Sequence, residues 1–522
     1  MNHEVLNQPP PLIDYNLFST DRALRTAVAR EGAGWACAAL EEFGGRMGTA
    51  ETIGWGALAN ENPPVLRTHD RYGNRRDEVE FHPAWHHVMR ESVRAGVHNL
   101  PWAETRPGGH VARGAMAMLA SENEAGHVCP LSMTYSAVPV LRRHPALAAE
   151  WEPRILTNEY DRSFRPAPEK RGALIGMAMT EKQGGSDVRA NTTRAEAIGN
   201  DEYLIHGHKW FCSAPMCDAF LVLAQAPGGL SCFFLPRWTA DGKPNAFHLQ
   251  RLKAKLGNRS NASSEVEFHG AWARRIGEEG RGVATIIEMV HHTRLDCVMG
   301  AASLMRQALV QALHHTRHRN AFGKTLIDQP LMRNVLADLA LESEASTLLL
   351  MRVARAFDEG DRLFARLAVA AAKYWVSKRA APHVAEALEC LGGNGYVEES
   401  PMPRLYREAP LNSIWEGSGN VIALDVLRAI QKEPEAMERV REEIRACGDK
   451  RVSRMALDAD AEEGDARLLT ERIALALQAS LMIRFSPAGD AFCASRIEGN
   501  WGRAFGTLPR GINLNPILDG AF

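Results

Sequence analysis

One acidic residue late in the chain has the surroundings of a general base. Glu416 lies between Trp415 and Gly417 in LNSIWEGSGN, and its approach is otherwise apolar. Desolvation disfavours a charged carboxylate and raises its pKa towards the range useful for proton abstraction. A first-turn charge favoured by the next helix is the alternative interpretation, and for an isolated glutamate it is the commoner one.

Two other segments carry groups suited to a planar ring with polar edges. Met177–Val188, MAMTEKQGGSDV, is an apolar strand end followed by a Gly-containing turn. Its exposed N–H groups and the hydroxyls of Thr180 and Ser186 are able to bind ring edges or phosphate oxygens. In Gly207–Ser213, an aromatic pair beside a hydroxyl suits a flavin. A plain strand–turn–strand and two core aromatics explain the same patterns.

Two helix ends supply the remaining candidates. In RHRNAFGK the helix dipole favours positive charge, and Arg319 is also able to hold a pyrophosphate by a bidentate contact. The glycines of Leu391–Tyr396 stop a helix and allow a ligand to lie against bare backbone. His314 and His318 have the spacing of a helical metal pair. No third ligand is evident, so the sequence predicts no metal site.

Hydrophobic periodicity divides the chain into four segments, each predicted to be a domain or an appendage. Residues 1–165 are predicted to be helical, as in the run Ala23–Phe43, with a polar loop at Asn62–Pro83. Residues 166–278 have short runs without helical patterns between them, which predicts an antiparallel sheet or barrel. The predicted strands are 202–207, 219–226, 230–236 and 263–270.

The helical period returns in residues 279–434. An apolar face extends from Ile286 to Ala312, and 329–357 and 363–391 are two further long helices. Such helices bury their apolar faces against each other in a bundle. Residues 435–522 are predicted to be helical first and then irregular. The predicted fold class is α+β, with a helical N-terminal domain, an antiparallel β middle domain, a helical bundle and an additional helical tail.

The composition is that of an ordinary soluble protein. The 522 residues include 61 Lys and Arg against 63 Asp and Glu, which argues against a globally basic nucleic-acid binder. Hydrophobic residues make up 45%, which excludes disorder of the whole chain. The nine cysteines form no CxxC, and neither a signal sequence nor a membrane-spanning stretch is evident. We therefore expect a cytoplasmic protein without a membrane partner.

Each motif is weak alone, but their order is specific. TEKQGGSDV, a sheet, RNAFG at a helix end, GGNGY and WEGSGN together resemble the acyl-CoA dehydrogenase family over about residues 7–432. Its alkylation-response branch is the closest in NQPPPL, REGAGW, FHPAWH and LGNRSNAS. The resemblance implies helical, β and four-helix domains in a homotetramer with one FAD per subunit.

The resemblance also assigns residues to FAD. Against the flavin ring it places a strand–turn set and a strand-end set, namely Met177, Met179, Thr180, Gly185 and Ser186, then Phe211 and Ser213. Phe211 replaces the family's usual Trp, and Ser213 its usual Thr. It places Arg319 and Phe322 at the adenosine and pyrophosphate of a neighbouring subunit's FAD, with the turn Gly392, Gly393 and Gly395 near that end of the cofactor. It also assigns Ile414 to FAD, together with Ser418 and Asn420, which follow the base.

The implied reaction is α,β-dehydrogenation of a short or branched acyl-CoA or a similar small molecule, linked to the alkylation-damage response. Glu416 would remove the α-proton of the thioester while hydride leaves the β-carbon for flavin N5. Arg294 matches a family arginine near that base. It either favours the ionised base or pairs structurally with a carboxylate. Lys182 and Gln183 replace the family's usual Pro-Gly, a feature of the alkylation-response branch.

An alternative from another functional class stays open. Members of that branch are associated with double-stranded DNA through a basic C-terminal region, so the chain could be a DNA-binding protective flavoprotein with weak or vestigial dehydrogenase activity. Residues 435–522 hold twelve Lys and Arg against fourteen Asp and Glu. DNA affinity depends largely on cations, so this balance is unfavourable. An Arg stripe within 441–454 remains a possible contact surface, and a solvated face of mixed charge is the alternative.

Overall fold

The computed structural model describes residues 3–455, 457 and 461–522. The predicted helix Ala23–Phe43 is interrupted, because Gly32 adopts a φ of 95° between the helices Arg22–Val28 and Cys37–Met47. The predicted loop Asn62–Pro83 contains a hairpin of two strands, β1 (Val65–His69) and β2 (Arg75–Glu80). The helices of this part are α1 (Arg22–Val28), α2 (Cys37–Met47), α3 (Ala50–Glu61), α4 (Pro83–Arg94), α5 (Leu100–Ala103), α6 (Gly109–Asn123), α7 (Val128–Leu141) and α8 (Pro145–Ile155).

The predicted β segment forms a closed ring of strands. Its strands are β3 (Ile175–Ala178), β4 (Arg194–Gly199), β5 (Glu202–Ser213), β6 (Ala219–Ala226), β7 (Gly229–Pro236), β8 (Phe247–Leu252) and β9 (Ser263–Ile276). The ring runs β6–β4–β5–β9–β7 and closes through pairing of β7 with β6, while β3 joins β6 and β8 joins β9. Two pairings, β3–β6 and β4–β6, are parallel, and the others are antiparallel.

The long predicted helices are present within a few residues of their expected ends. The helices are α9 (Gly282–His318), α10 (Pro330–Glu359), α11 (Arg362–Glu389), α12 (Gly393–Tyr396), α13 (Met402–Glu408), α14 (Gly419–Lys432), α15 (Pro434–Arg445), α16 (Lys450–Ser453), α17 (Ala466–Phe485), α18 (Gly489–Phe492) and α19 (Asn515–Asp519). A small hairpin, β10 (Asn320–Ala321) and β11 (Lys324–Thr325), follows α9. Gly360, at φ 65°, ends α10, and the Asp361 side chain caps α11.

The first of two compact units is helical. This helical unit comprises Met1–Ile53, Pro107–Asn123 and Arg294–Phe522. Within it α11 packs against α10, α14, α15 and α17, and α10 also packs against α1 and α6. Nearly all of α15 and all of α17 lie within residues 435–522, so this additional segment contributes helices that pack against α10 and α11.

The second unit, the β unit, comprises Gly54–Arg106 and Glu124–Thr293. Aromatic side chains on its strands are buried, and the Phe220 ring of β6 stacks on the Phe247 ring of β8 at 4.9 Å between centroids. This packing fixes the strands that carry the candidate residues of this unit. Throughout the described ranges, no helix combines the length and apolar character that crossing a bilayer requires.

Candidate active site

A buried ion pair holds the turn that follows β3. The Glu181 carboxylate accepts hydrogen bonds from the Thr192 backbone N–H at 2.7 Å and from Lys209 Nζ at 2.9 Å. Lys209 also donates to the backbone carbonyls of Leu223, at 2.7 Å, and Met179, at 3.3 Å. Both charged side chains are fully buried. The pair therefore fixes the turn against β5 and β6.

Both partners of this pair carry charge at neutral pH. Burial by itself raises the pKa of a carboxyl, but the charge of Lys209 and the surrounding donors lower the pKa of Glu181 to about 2. Burial lowers the pKa of Lys209 to about 8, although Glu181 counteracts it. A Glu at this position of the motif is thus committed to structure and is not available as a base.

The predicted ring-contacting residues of the β unit surround this turn. Within the described part of the chain, the hydroxyls of Thr180, Ser186 and Ser213 have no hydrogen-bond partner. Met177 and Met179 are half-buried at the end of β3. Position 185 favours glycine for a steric reason, because a Cβ there would lie 2.4 Å from the Thr180 hydroxyl oxygen. These groups leave polar atoms available for a ligand's edge.

Phe211 is presented by an irregularity in its strand. The register between β5 and β9 shifts between Lys209 and Cys212, which places a bulge at Trp210 and Phe211. Bulges redirect side chains next to functional sites. The Phe211 side chain is 52% exposed, and Lys253 Nζ lies 4.7 Å from its ring centroid and 3.2 Å from that of Trp210. An exposed aromatic face with a nearby cation results.

In the helical unit, the candidate base has a strained backbone. Glu416 adopts φ 59° and Gly417 φ 109°, a region that non-glycine residues rarely occupy. Arg294 Nε donates to the Glu416 carbonyl at 3.2 Å, and Lys373 Nζ donates to the Gly417 carbonyl. Two cations thus hold consecutive carbonyls. Strain of this kind persists where the surroundings over-determine it, and it is concentrated at functional sites.

The charge of Arg294 is neutralised away from the base. Its Nη1 donates to Asp425 at 2.5 Å, and Arg366 also donates to Asp425, at 2.8 Å. Burial alone would raise the pKa of Asp425, but Arg294 and Arg366 lower it to about 2. Arg294 therefore contacts Glu416 through the backbone and has its own carboxylate partner.

Lys373 is a residue that sequence reasoning missed. It is a buried lysine on α11, and burial lowers its pKa. The signal was present in the sequence, because this lysine stands alone in the apolar stretch AVAAAKYWV. Lysine is almost never fully buried without a reason.

The residues on either side of the base include one that contacts the tail. Ile414 is 63% exposed. Ser418 precedes α14, and its side chain makes no capping hydrogen bond there. The Asn420 side-chain carbonyl accepts from Arg467 Nη1 at 2.9 Å, and Arg467 Nε donates to the Tyr374 hydroxyl at 3.1 Å. Arg467 belongs to α17, and no local pattern marked it as part of this site.

The second candidate region of the helical unit lies at the β10–β11 hairpin. Arg319 Nη1 donates to the Asn7 carbonyl at 2.5 Å, and the Asn7 side chain accepts from the Asn320 N–H at 2.8 Å. Phe322 forms the hairpin tip with φ 51° and a 99% exposed side chain. At Gly392 and Gly393 a Cβ would meet nothing within 4 Å, so the backbone there is open.

These residues fit FAD chemically. An isoalloxazine ring needs an apolar face and polar partners at its edge, and a pyrophosphate needs cations and N–H groups. In the β unit, exposed Phe211 and the hydroxyls without partners in the described residues suit a ring. In the helical unit, exposed Ile414 offers an apolar side chain, and Arg319 with the open backbone of Gly392 and Gly393 suits a pyrophosphate. A search of the residues with described positions finds no group of three or more His, Cys, Asp or Glu able to hold a metal ion.

Family profiles match most of the chain. The adaptive response protein AidB N-terminal domain matches residues 7–162, the acyl-CoA dehydrogenase middle domain matches residues 176–271, and the acyl-CoA dehydrogenase C-terminal domain matches residues 280–431. The matched segments follow each other in the order that the motifs predicted.

Two relatives show the same relationship over long alignments. AidB of Escherichia coli (strain K12) is 53% identical over 437 residues, which cover 83% of this chain and 81% of AidB. Acyl-CoA dehydrogenase family member 11 of Caenorhabditis elegans is 33% identical over 429 residues, covering 78% of this chain and 69% of the relative.

Solved structures are similar in fold. Caenorhabditis elegans ACDH-11 in complex with C11-CoA superposes with a TM-score of 0.84 at 27% identity, covering all of this chain and 93% of that one. Butyryl-CoA dehydrogenase from Megasphaera elsdenii has a TM-score of 0.58 at 22% identity, with 73% and 97% coverage, and shows the fold alone.

Proposed function

This chain belongs to the acyl-CoA dehydrogenase family of FAD-dependent oxidoreductases, and from that premise we propose that Glu416 is the base that removes the α-proton of an acyl-CoA thioester. The observation that carries the proposal is the left-handed backbone of Glu416, held by Arg294 and Lys373. Such a clamp fixes the direction in which a carboxylate leaves the backbone, which proton abstraction requires.

Other residues of the chain hold the reactants. The hydroxyls of Thr180, Ser186 and Ser213 bind the polar edge of the flavin, and Phe211 covers its face. Met177, Met179, Gly185 and Ile414 border the ring. Bound FAD supplies the hydride acceptor. The proton from the substrate is taken up by a Glu416 carboxylate oxygen and is retained there until the product leaves.

A second set of residues binds the rest of FAD. Ser418 and Asn420 bind the cofactor just after the base. Arg319 and Phe322, with the open backbone of Gly392 and Gly393, act towards the FAD of a neighbouring subunit in a homotetramer. The exposed Phe322 side chain supports this part, because an apolar side chain at a hairpin tip gains from burial in a partner copy.

The proposed substrate is a short or branched acyl-CoA, and the proposed cellular setting is a cytoplasmic response to alkylation damage. The similarity to AidB supports the setting, and the ACDH-11 complex with C11-CoA supports an acyl-CoA as the ligand class. A panel of thioesters should therefore include short, branched and C11 chains.

The DNA-binding alternative gains no support from the tail. Several of its arginines are engaged by acids of the same unit: Arg439 by Asp361, Arg451 by Asp449, Arg484 by Glu443 and Arg496 by Glu342. An arginine paired in this way releases fewer counterions when DNA approaches.

Anaerobic titration of the FAD-loaded protein with the thioester panel tests the proposal. We expect Glu416→Gln to slow flavin reduction by about 10²–10⁴-fold, because the amide cannot accept the α-proton. Glu435→Gln, an exposed first-turn glutamate of α15, is the matched control and should leave the rate unchanged. Equal rates for Glu416→Gln and wild type, or a wild type that no thioester reduces, would contradict the proposal.

A further inference from the structure

Three lysines are buried among the described residues, and one of them lacks the partner that the others have. Lys170 lies 2.7 Å from Asp218, and Lys209 lies 2.9 Å from Glu181. Within the described residues, Lys373 has no carboxylate oxygen within 4.0 Å of its ammonium group, and its hydrogen bond goes to the Gly417 carbonyl. An isolated buried cation is energetically unfavourable, because it has lost its hydration without gaining an opposite charge.

Four ionisable groups act electrostatically on Lys373. Cys297 and Arg294 act on it from α9, Lys378 from α11, and Glu416 from the segment before α14. Two of these groups, Cys297 and Glu416, are able to become negative. Burial raises the pKa of the Cys297 thiol, so that thiol is neutral at physiological pH. The attraction between Lys373 and the Glu416 carboxyl raises the pKa of Lys373 and so counteracts part of the effect of burial.

Arg294, the other cation that holds this segment, has acidic partners of its own. Arg294 also holds a carbonyl of this segment, but Asp425 accepts its hydrogen bonds and Arg366 completes that cluster. The charge of Arg294 is therefore largely balanced before it acts on Glu416. Within the described residues, Lys373 has no ion pair of this kind, and its charge attracts the Glu416 carboxyl.

We propose that Lys373 is a positioning residue for the base: its hydrogen bond to the Gly417 carbonyl fixes the left-handed Glu416 backbone, and its positive charge favours the ionised form of the Glu416 carboxyl. This inference rests on the proposed function, in which Glu416 is the base. It assigns Lys373 a contribution that the packing of α11 alone does not require, since an apolar side chain would fill the same space.

Three substitutions separate the hydrogen bond from the charge. Lys373→Gln keeps a donor and removes the charge, Lys373→Met removes both, and Lys373→Arg keeps both. The pKa of Glu416 is read in two ways: from the pH dependence of flavin reduction by a thioester, and from the infrared carboxyl signal that disappears in Glu416→Gln. The infrared titration needs no turnover, so it distinguishes failure of this inference from failure of the proposed function.

We expect the pKa of Glu416 to rise by roughly one unit or more in Lys373→Gln and Lys373→Met, and to stay near the wild-type value in Lys373→Arg. Arg362→Gln, an exposed charge removal at the start of the same helix, is the control and should not shift it. A Glu416 pKa that is the same in Lys373→Gln and in wild type overturns the inference.

A reciprocal measurement keeps the inference testable if the lysine variants do not fold. Glu416→Gln removes the counter-charge and leaves Lys373 uncompensated in the core. We expect the thermal unfolding midpoint of Glu416→Gln to lie below that of Glu435→Gln. In the double variant Glu416→Gln with Lys373→Met the buried positive charge is also removed, so the midpoint should rise again. Equal midpoints for the two single glutamate variants also overturn the inference.

Discussion

The turn after β3 and the segment around Glu416 both place candidate residues with the help of buried cations, but in opposite ways. In the turn, Lys209 binds the Glu181 side chain, and the carboxylate is used up in holding the backbone. Around Glu416, Arg294 and Lys373 bind backbone carbonyls instead. In the second arrangement the two cations fix the backbone and do not donate to the Glu416 carboxyl group. A base requires a carboxyl group that is not used in this way.

The two regions also differ in backbone strain. The Glu416 conformation is one that non-glycine residues adopt at a cost of about 1–3 kcal/mol, and the two cations offset that cost. Glu181 carries no such strain, and its contribution is a buried charge pair. We therefore expect the turn to be sensitive to loss of charge pairing and the 416–417 segment to be sensitive to changes of backbone geometry.

The largest effect is expected for Lys209→Met. This change leaves the Glu181 carboxylate buried without its cation, which costs about 3–5 kcal/mol of stability. Chemical denaturation, followed by a signal from the β unit, measures this loss of stability. Lys182→Met removes an exposed lysine of the same turn and should change stability by no more than about 0.5 kcal/mol. A Lys209→Met protein as stable as Lys182→Met would contradict the pairing.

The stability of wild type and the stability of Lys209→Met should change in opposite directions as the pH falls. In wild type the pKa of Glu181 is lowered to about 2, so the stability contributed by this group is present above its unfolded pKa and is lost as pH falls towards 2. In Lys209→Met burial dominates and raises that pKa, so acidification should recover part of the lost stability. Glu181→Gln combined with Lys209→Met should restore stability at neutral pH as well.

Sequence periodicity was sufficient for the long elements, because one apolar face per helix or strand determines them locally. Periodicity did not predict elements whose structure depends on contacts with residues distant in the sequence. The strand Arg75–Glu80 looks like a polar loop, but buried Asp77 pairs with Arg75 and accepts from the Leu249 N–H at 2.9 Å. The order in which the sheet closes into a ring, and its parallel pairs, also depend on such contacts.

The candidate site shows the same division. The motif order identified the family and selected the segments that carry Glu416, Thr180 and Phe211. The residues that hold those segments were not selected. Lys373 left a trace as a lone lysine in an apolar helix, whereas Arg467 left none, since it reaches Asn420 from 47 residues further along the chain.

Substitutions of one glycine in each region should have effects of intermediate size and test the difference in backbone strain. Gly417→Ala adds a Cβ at φ 109°, and that atom would lie 3.0 Å from the Ile422 side chain. Gly184, in the turn after β3, also has a positive φ of 146° but open space around a Cβ. We expect Gly417→Ala to cost about 1–3 kcal/mol and to slow flavin reduction, and Gly184→Ala to cost less. Comparable losses of unfolding midpoint and rate in both variants would show that the clamp does not matter.

The smallest expected effect concerns the tail's link to the segment after the base. Arg467→Met removes the hydrogen bond to Asn420, whose free amide then no longer has a fixed orientation towards FAD. Loss of one such hydrogen bond is worth about 1 kcal/mol, so FAD should dissociate roughly fivefold faster, as measured by the fluorescence of released flavin. Arg467→Lys should recover part of the difference, and Arg428→Met, an exposed arginine of α14, should behave as wild type. If Arg467→Met and Arg428→Met release FAD at the same rate, the tail stabilises the bundle without acting on the cofactor.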